Sequence, residues 1–330
     1  MRWSTVKNLR VGTAVAALAA AVAFAGMPDA RAQDPIVLKL AHEDAAGERR
    51  DNAAHRLAEL ASEYSDGQID IQVYPAGQLG KYAQVVEGMQ IGTHDMTVTL
   101  ALVIGLAPQL GVFDLPYLFK DRESFEKVID SPLGDELLDT LEASGLVGLA
   151  YWENGYRHIT NNVRPINKPE DLDGIKLRTP PSPSRVAMFR EFGANPGPLP
   201  FTELYSALQQ GVFDGQENPL PNIRGAKLFE VQDYLSLSGH VYDPQLLLVS
   251  KLKWDAMPED LQEALKRAAR QVAVEMRQEG QQLDEEDLEF LSQEMEVNTV
   301  DFEAFQAASG PLYEQFAYPE ILERLLEASR

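Results

Sequence analysis

From Pro258 to about Met295, apolar residues recur at helical spacing (Leu261, Leu265, Ala269, Val272, Met276, Leu283, Leu288 and Leu291). No proline interrupts the run, and only Gly280 weakens it. A helix this long has two ordinary settings in a globular chain: a coiled coil, or a span across two domains. The charge-rich opposite face favours the span. The chain must then supply two bodies for one helix to join, and 330 residues with 45% hydrophobic content are enough for two cores of ordinary size.

Arg2, Lys7 and Arg10 precede a small-apolar run from Val11 to about Met27, followed by Ala30-Arg31-Ala32. That is the pattern of a secretory signal spanning residues 1–32 and cleaved before Gln33, which makes the mature chain an exported, soluble protein. An uncleaved anchor is the alternative, but the run is rich in alanine and short for a spanning helix. The absence of cysteine rules out a disulfide framework and thiolate chemistry. The net charge is −22; residues 1–32 hold four basic and one acidic residue, so their removal takes away +3 and leaves −25. Nucleic acid and anionic membrane surfaces are poor partners for such a chain. A local basic pocket remains compatible with it.

Ile36 to His42 reads as a mostly buried strand, Asn52 to Tyr64 as a helix, and Ile69 to Tyr74 as a second strand. A helix from Tyr82 to Gln90 and a strand around Asp95 to Leu100 complete a βαβαβ pattern, which implies a parallel sheet flanked by helices. Asp114 to Phe119 reads as a packed loop, Arg122 to Glu142 as mainly helical, and Leu146 to Trp152 as a buried strand. The chain then crosses at Glu153-Asn154-Gly155 into a second α/β set. Its parts are a strand at Lys176 to Thr179, helices at Ser184 to Phe192 and Phe201 to Gln210, and a short strand leading to Asn218. Tyr234 to Val241 and Gln245 to Ser250 are expected to pair with each other and return the chain to the first set.

The sequence lacks a G-x-S-x-G elbow, an H-E-x-x-H helix, a P-loop and a G-x-G-x-x-G turn. Its five histidines have no metal-ligand spacing, so neither metal nor other cofactor is expected. Acidic pairs are too plentiful among 51 Asp and Glu to support or exclude a secreted hydrolase. Recognition is the stronger signal. Arg178 stands between the strand-like Ile175-Lys176-Leu177 and a Pro180-Pro181-Ser182-Pro183 turn, where a planar guanidinium can grip a carboxylate through paired N–H groups. A solvent-facing strand end is the alternative. Arg157 and Asn218 are its natural helpers.

The segments GYRHITNN, RPINKPEDLDGIKLRTPPSP, GANPGPLPFTELYSALQQGVFDGQENP and GHVYDPQLLLVSK, with LKLAH, VYPAGQLG and FDLPYLF before them, resemble a known family. It is the solute-binding proteins of tripartite ATP-independent periplasmic (TRAP) transporters, the DctP family, and the likeness covers essentially the whole mature chain. The resemblance implies an α/β fold of the two-lobed periplasmic binding protein kind (type II-like), with open sheets, hinge crossovers and a long helix spanning both lobes. Lobe I would take residues 33–154 and about 244–283; lobe II would take 155–243 and about 284–330. Arg178 would form the paired salt bridge with the ligand carboxylate, and Asn218 would hydrogen-bond ligand and arginine. Arg157 would be a second cationic contact or a support of the pocket wall. The implied protein is a monomeric receptor, not an enzyme, that delivers a small organic acid to membrane permease subunits. A ligand sensor for a kinase is an alternative.

The far end of the pocket is expected from His42-Glu43-Asp44, the Gln78 loop and Thr97. Carboxylates there accept hydrogen bonds only, so Glu43 calls for hydroxyl or ammonium donors on the ligand. A sugar acid such as glucuronate, galacturonate or an aldonate is favoured over an ectoine-type zwitterion or a C4-dicarboxylate. Arg49 and Arg50 are placed to neutralise Glu43 or to serve as a second clamp. Tyr242 is expected to wall the cleft, whereas Phe201 and Tyr205, one turn apart, are expected in the core.

Overall fold

The computed structural model describes residues 34–330; the expected signal peptide lies outside the described residues. The chain begins with β1 (Ile36–Ala41), α1 (Arg49–Tyr64), β2 (Ile69–Tyr74), α2 (Tyr82–Gln90) and β3 (Met96–Val98). β1 pairs in parallel with both β2 and β3, as the βαβαβ pattern requires. Two short helices follow, α3 (Arg122–Ile129) and α4 (Pro132–Asp139). Asp121 and Ser131 accept hydrogen bonds from backbone N–H groups at their starts, so the expected single helix is divided at a second N-cap.

β4 (Leu146–Asn161) is one strand of 16 residues, not a strand and a crossover. Its pairing shifts register between Glu153 and Gly155, where Gly155 has φ +106°, a value glycine adopts without Cβ strain. The first part of β4 lies antiparallel to β9 (Tyr242–Ser250) and the last part antiparallel to β7 (Gly215–Pro219) and β8 (Tyr234–Leu237). β5 (Lys176–Thr179) runs parallel to β7 and to β6 (Asn195–Pro198). Hence the strand order β2-β1-β3-β9-β4-β7-β5-β6, with β4 common to both halves. The expected pairing of Tyr234–Val241 with Gln245–Ser250 does not occur. β8 pairs with β4 and with β10 (Glu296–Thr299), and β9 fills the gap between β3 and β4.

Helices cover both halves. α5 (Pro183–Glu191), α6 (Leu204–Gln209) and α7 (Leu220–Gly225) pack in the second, and α8 (Lys251–Asp255) leads into α9 (Glu259–Glu294). At about 1.5 Å per residue α9 is roughly 54 Å long. Leu261, Leu265, Ala268 and Val272 join the core of the first half, and Leu291 joins that of the second. One helix thus braces both bodies. Gly280 sits where α9 passes β4: a Cβ there would fall 2.6 Å from Glu153 Oε1. The glycine that weakens the pattern is what permits the approach. After α10 (Phe302–Ala308) and α11 (Gly310–Glu314), α12 (Pro319–Ala328) packs Leu325 among Phe125, Leu137 and Leu138 of the first half. This last helix, within the 284–330 stretch expected with the second lobe, thus lies against the core that holds α3 and α4.

Candidate functional site

Arg178 leaves β5 just before Pro180, at the carboxyl end of a parallel strand, where open α/β sheets hold ligands. Its side chain is only 2% exposed. Nε and Nη2 donate to the Leu199 carbonyl at 2.8 and 2.6 Å, and no ion pair involves this guanidinium among the described residues. Burial depresses its pKa to about 9, because a desolvated cation without a close counter-charge is disfavoured. It lines a cavity of about 270 Å³ between the two halves of the sheet, with Glu43, Tyr82, Thr99, Arg157 and Asn218 on the other walls.

The neighbouring arginines are committed elsewhere. Arg157, on β4, donates Nε to Glu217 Oε2 at 2.5 Å and Nη1 to Asp243 Oδ2 at 2.9 Å; its Nη2 reaches Glu217 Oε1 and Asn218 Oδ1, each at 3.0 Å. Arg185, on α5, bonds Asp114, Glu217 and Asp243. Burial opposes ionisation of Glu217, yet Arg157 and Arg185 overcome it and hold the carboxyl well below the usual range. His240 adds Nε2 at 3.1 Å from Glu217, and burial keeps its pKa low, so the neutral ring donates. Arg157 is thus a brace tied to two carboxylates. Asn218 links it to Gln216, donating Nδ2 to Gln216 Oε1 at 2.5 Å.

Opposite Arg178, Glu43 is 6% exposed and accepts the Tyr82 N–H at 2.8 Å through Oε1, while Oε2 has no partner. Burial raises its pKa. Arg50 donates to Asp44 at 2.7 Å, to the Tyr82 hydroxyl at 3.0 Å and to Asn154 Oδ1 at 3.0 Å, so it neutralises Asp44, not Glu43.

Four expected contacts do not line the cavity. His42 turns Nε2 to Asp51 at 3.1 Å in the first core, and burial lowers its pKa. Gln78 lies in an exposed turn after Pro75. Thr97 donates Oγ1 to the Ala41 carbonyl between β3 and β1, and Thr99 takes the cavity position in its place. Tyr242 is packed between Phe125 and Tyr156, at ring separations of 4.6 and 4.8 Å. Phe201 and Tyr205, expected in the core, are half-buried: they pack against the core of the second half and also line the cleft. Arg185, Glu217 and Asp243 were not singled out from the sequence. A buried arginine on a helix without a clear apolar face has no periodic signature, although Glu217 stands beside Asn218 in the motif that drew notice.

The model of the bacterial extracellular solute-binding protein family 7 (DctP) matches residues 40–319. The 2,3-diketo-L-gulonate-binding periplasmic protein YiaO of Escherichia coli (strain K12) is 38% identical over 235 residues, 71% of this chain and 72% of that protein. The C4-dicarboxylate-binding periplasmic protein DctP of Rhodobacter capsulatus is 39% identical over 237 residues, 71% of each chain. The crystal structure of the sugar acid binding protein DctPAm from Advenella mimigardefordensis, in complex with galactonate, superposes with a TM-score of 0.86 at 36% identity. It covers 90% of this chain and 98% of that one. The fold and cleft are those of a periplasmic solute-binding protein. The chain belongs to the DctP family, and among the described residues no helix is long and apolar enough to cross a membrane.

Proposed function

We propose that this chain is the receptor of a TRAP transporter for a hydroxylated monocarboxylic acid, with a hexonate or hexuronate as the favoured ligand. The observation that carries the reading is the buried guanidinium of Arg178, which faces a cavity and meets no carboxylate. A ligand carboxylate on its Nη1–Nη2 edge supplies the counter-charge, and closure of the two halves as lobes is driven by that gain. Asn218 and Arg157 hold the wall beside it.

Glu43 supports the choice of ligand. Its free oxygen accepts a hydroxyl hydrogen and repels a second carboxylate. Arg50 would be the cation for a C4-dicarboxylate such as the Rhodobacter relative is named for, but Asp44, Tyr82 and Asn154 already occupy it. A zwitterion finds no aromatic cage next to Asn218, where Leu220, Pro221 and Asn222 follow. The galactonate complex of the Advenella relative and the sugar-acid name of the Escherichia relative agree with a polyhydroxylated acid. The loaded receptor then passes its ligand to the permease subunits chemically unchanged.

A thermal-shift series with aldonates, uronates, C4-dicarboxylates and ectoine tests the reading. Ligand bound only to the folded state stabilises by about 2.7 kcal/mol at a hundredfold excess over Kd. Aldonates or uronates should give the largest shift and be recovered intact. A larger shift with succinate, or turnover of any acid, contradicts the proposal.

A further inference from the structure

Beyond the Arg178 cavity lies a second chamber of about 260 Å³, reached past Glu43, Arg50, Asn154, Phe201 and Asn222, which line both. Its own walls come from α1, α7, β4 and the middle of α9, including Glu48, Arg49, Glu153 and Met276. Seven buried side-chain N or O atoms lack a hydrogen-bond partner among the described residues, and four of them belong to residues lining this chamber. They are Glu43 Oε2, Glu153 Oε2, Asn222 Oδ1 and Arg49 Nη1, three acceptors and one donor. Glu43, Glu153 and Asn222 are at least nine-tenths buried, so each unmade hydrogen bond carries a desolvation cost.

The charges around the acceptors are largely matched within the protein. Asp44 is paired with Arg50, Glu153 with Arg122, and Arg49 with Asp284. The Tyr242 hydroxyl, also without a partner, lies against Glu153, so the acceptors left for a ligand are Glu43 and Asn222. The aromatic part of the wall is Phe201 and Tyr205, both half-buried. Flat aromatic faces beside spare acceptors match a sugar ring, which has a C–H face and a rim of hydroxyls.

We infer that the second chamber is a subsite for a glycosyl extension of the ligand, so that the cleft accepts an acid carrying a second sugar unit. The inference rests on the sugar-acid reading of the Arg178 cavity. The carboxylate and its polyol chain fill the first chamber; the added ring enters the second and donates hydroxyl hydrogens to Glu43 and Asn222.

The test compares gluconate with lactobionate, which is gluconate carrying a galactosyl group, by titration calorimetry on the purified protein. Lactobionate should bind at least about tenfold more tightly than gluconate, the gain expected from one added hydrogen bond to a charged group. Ala226 lines only the second of the two chambers, so Ala226→Leu narrows it alone. That variant should lose the lactobionate gain while binding gluconate as before, which also shows that it is folded. If gluconate binds and lactobionate binds no better, the chamber holds only water and the inference fails alone. If neither acid binds, the sugar-acid reading fails and takes the inference with it.

Discussion

Arg178 gives two of its N–H groups to the carbonyl oxygen of Leu199 and none to a carboxylate. Because both bonds use the Nε–Nη2 edge, the carbonyl fixes the plane of the guanidinium and leaves the Nη1–Nη2 edge for a ligand. Arg157 shows the contrasting case, with the same edge spent on Glu217 and Nη1 on Asp243. Two arginines lining one cavity thus differ in role: one anchors the wall, and the other waits for a counter-charge.

Glu217 holds the anchored set together, since Arg157, Arg185 and His240 all bond it. Glu217→Gln leaves buried cations without their shared carboxylate. It should destabilise the protein by about 3–5 kcal/mol, the usual cost of breaking a buried pair, in urea unfolding followed by circular dichroism.

Gly280→Ala should also destabilise, against helix propensity. In an open helix the change gains up to about 1 kcal/mol. Here the new methyl meets the Glu153 carboxylate, which is bonded to Arg122 at 2.8 Å between strand and helix. A loss of about 1–3 kcal/mol is expected from overpacking, read from the same unfolding curves.

The pH dependence has a definite sign. Burial lowers the pKa of His158 to about 3 and also lowers those of His240 and His42, so all three are neutral in the fold. Unfolding lets each take up a proton below its ordinary value near 6.5. Their contribution is therefore fully present above pH 6.5 and is lost as pH falls below it. The carboxyls raised by burial, Glu43 and Glu153 among them, act in the opposite direction just above 4.5. The melting temperature should fall between pH 6.5 and 5.5. His158→Asn, which can still accept the Gly239 N–H, should make that slope shallower.

Glu43→Gln keeps an acceptor but replaces a carboxylate with an amide. Affinity for a hexonate should fall moderately, about three- to tenfold, since one charge-assisted bond becomes a neutral one. A cationic ligand would lose far more, so calorimetry on this variant separates hydroxyl from ammonium recognition.

The fold was legible where local pattern and global role coincide. The period of Pro258–Met295 predicts α9 nearly to the residue, and alternation predicts Ile69–Tyr74. What was not legible depends on tertiary pairing. β4 runs through the bulge at Glu153 to Gly155 because two separate sets of strands hold its two parts, which no window of sequence contains. β8 and β9 are near neighbours in sequence yet do not pair with each other; each pairs with a different stretch of β4. In the site, Arg178, Asn218, Arg157 and Glu43 come together on the cavity, because their strand ends and turns fix them there. His42 and Tyr242 do not, because a one-residue difference in facing turns a side chain from cleft to core, and Thr97 does not because it lies within β3, two residues short of the cavity position that Thr99 holds. Arg185 was hidden by its place on a helix, where burial is set by Asp114 and Asp243 from distant segments.

The most direct test is titration calorimetry with galactonate on the native protein and on Arg178→Ala, with circular dichroism to check the fold. The variant should fold, since its loss removes an unpaired buried charge as well as packing. Its affinity should fall at least about a hundredfold, as expected when a bidentate charge-assisted contact worth about 3 kcal/mol is removed. A folded Arg178→Ala protein that binds galactonate as tightly as the native chain would contradict the account.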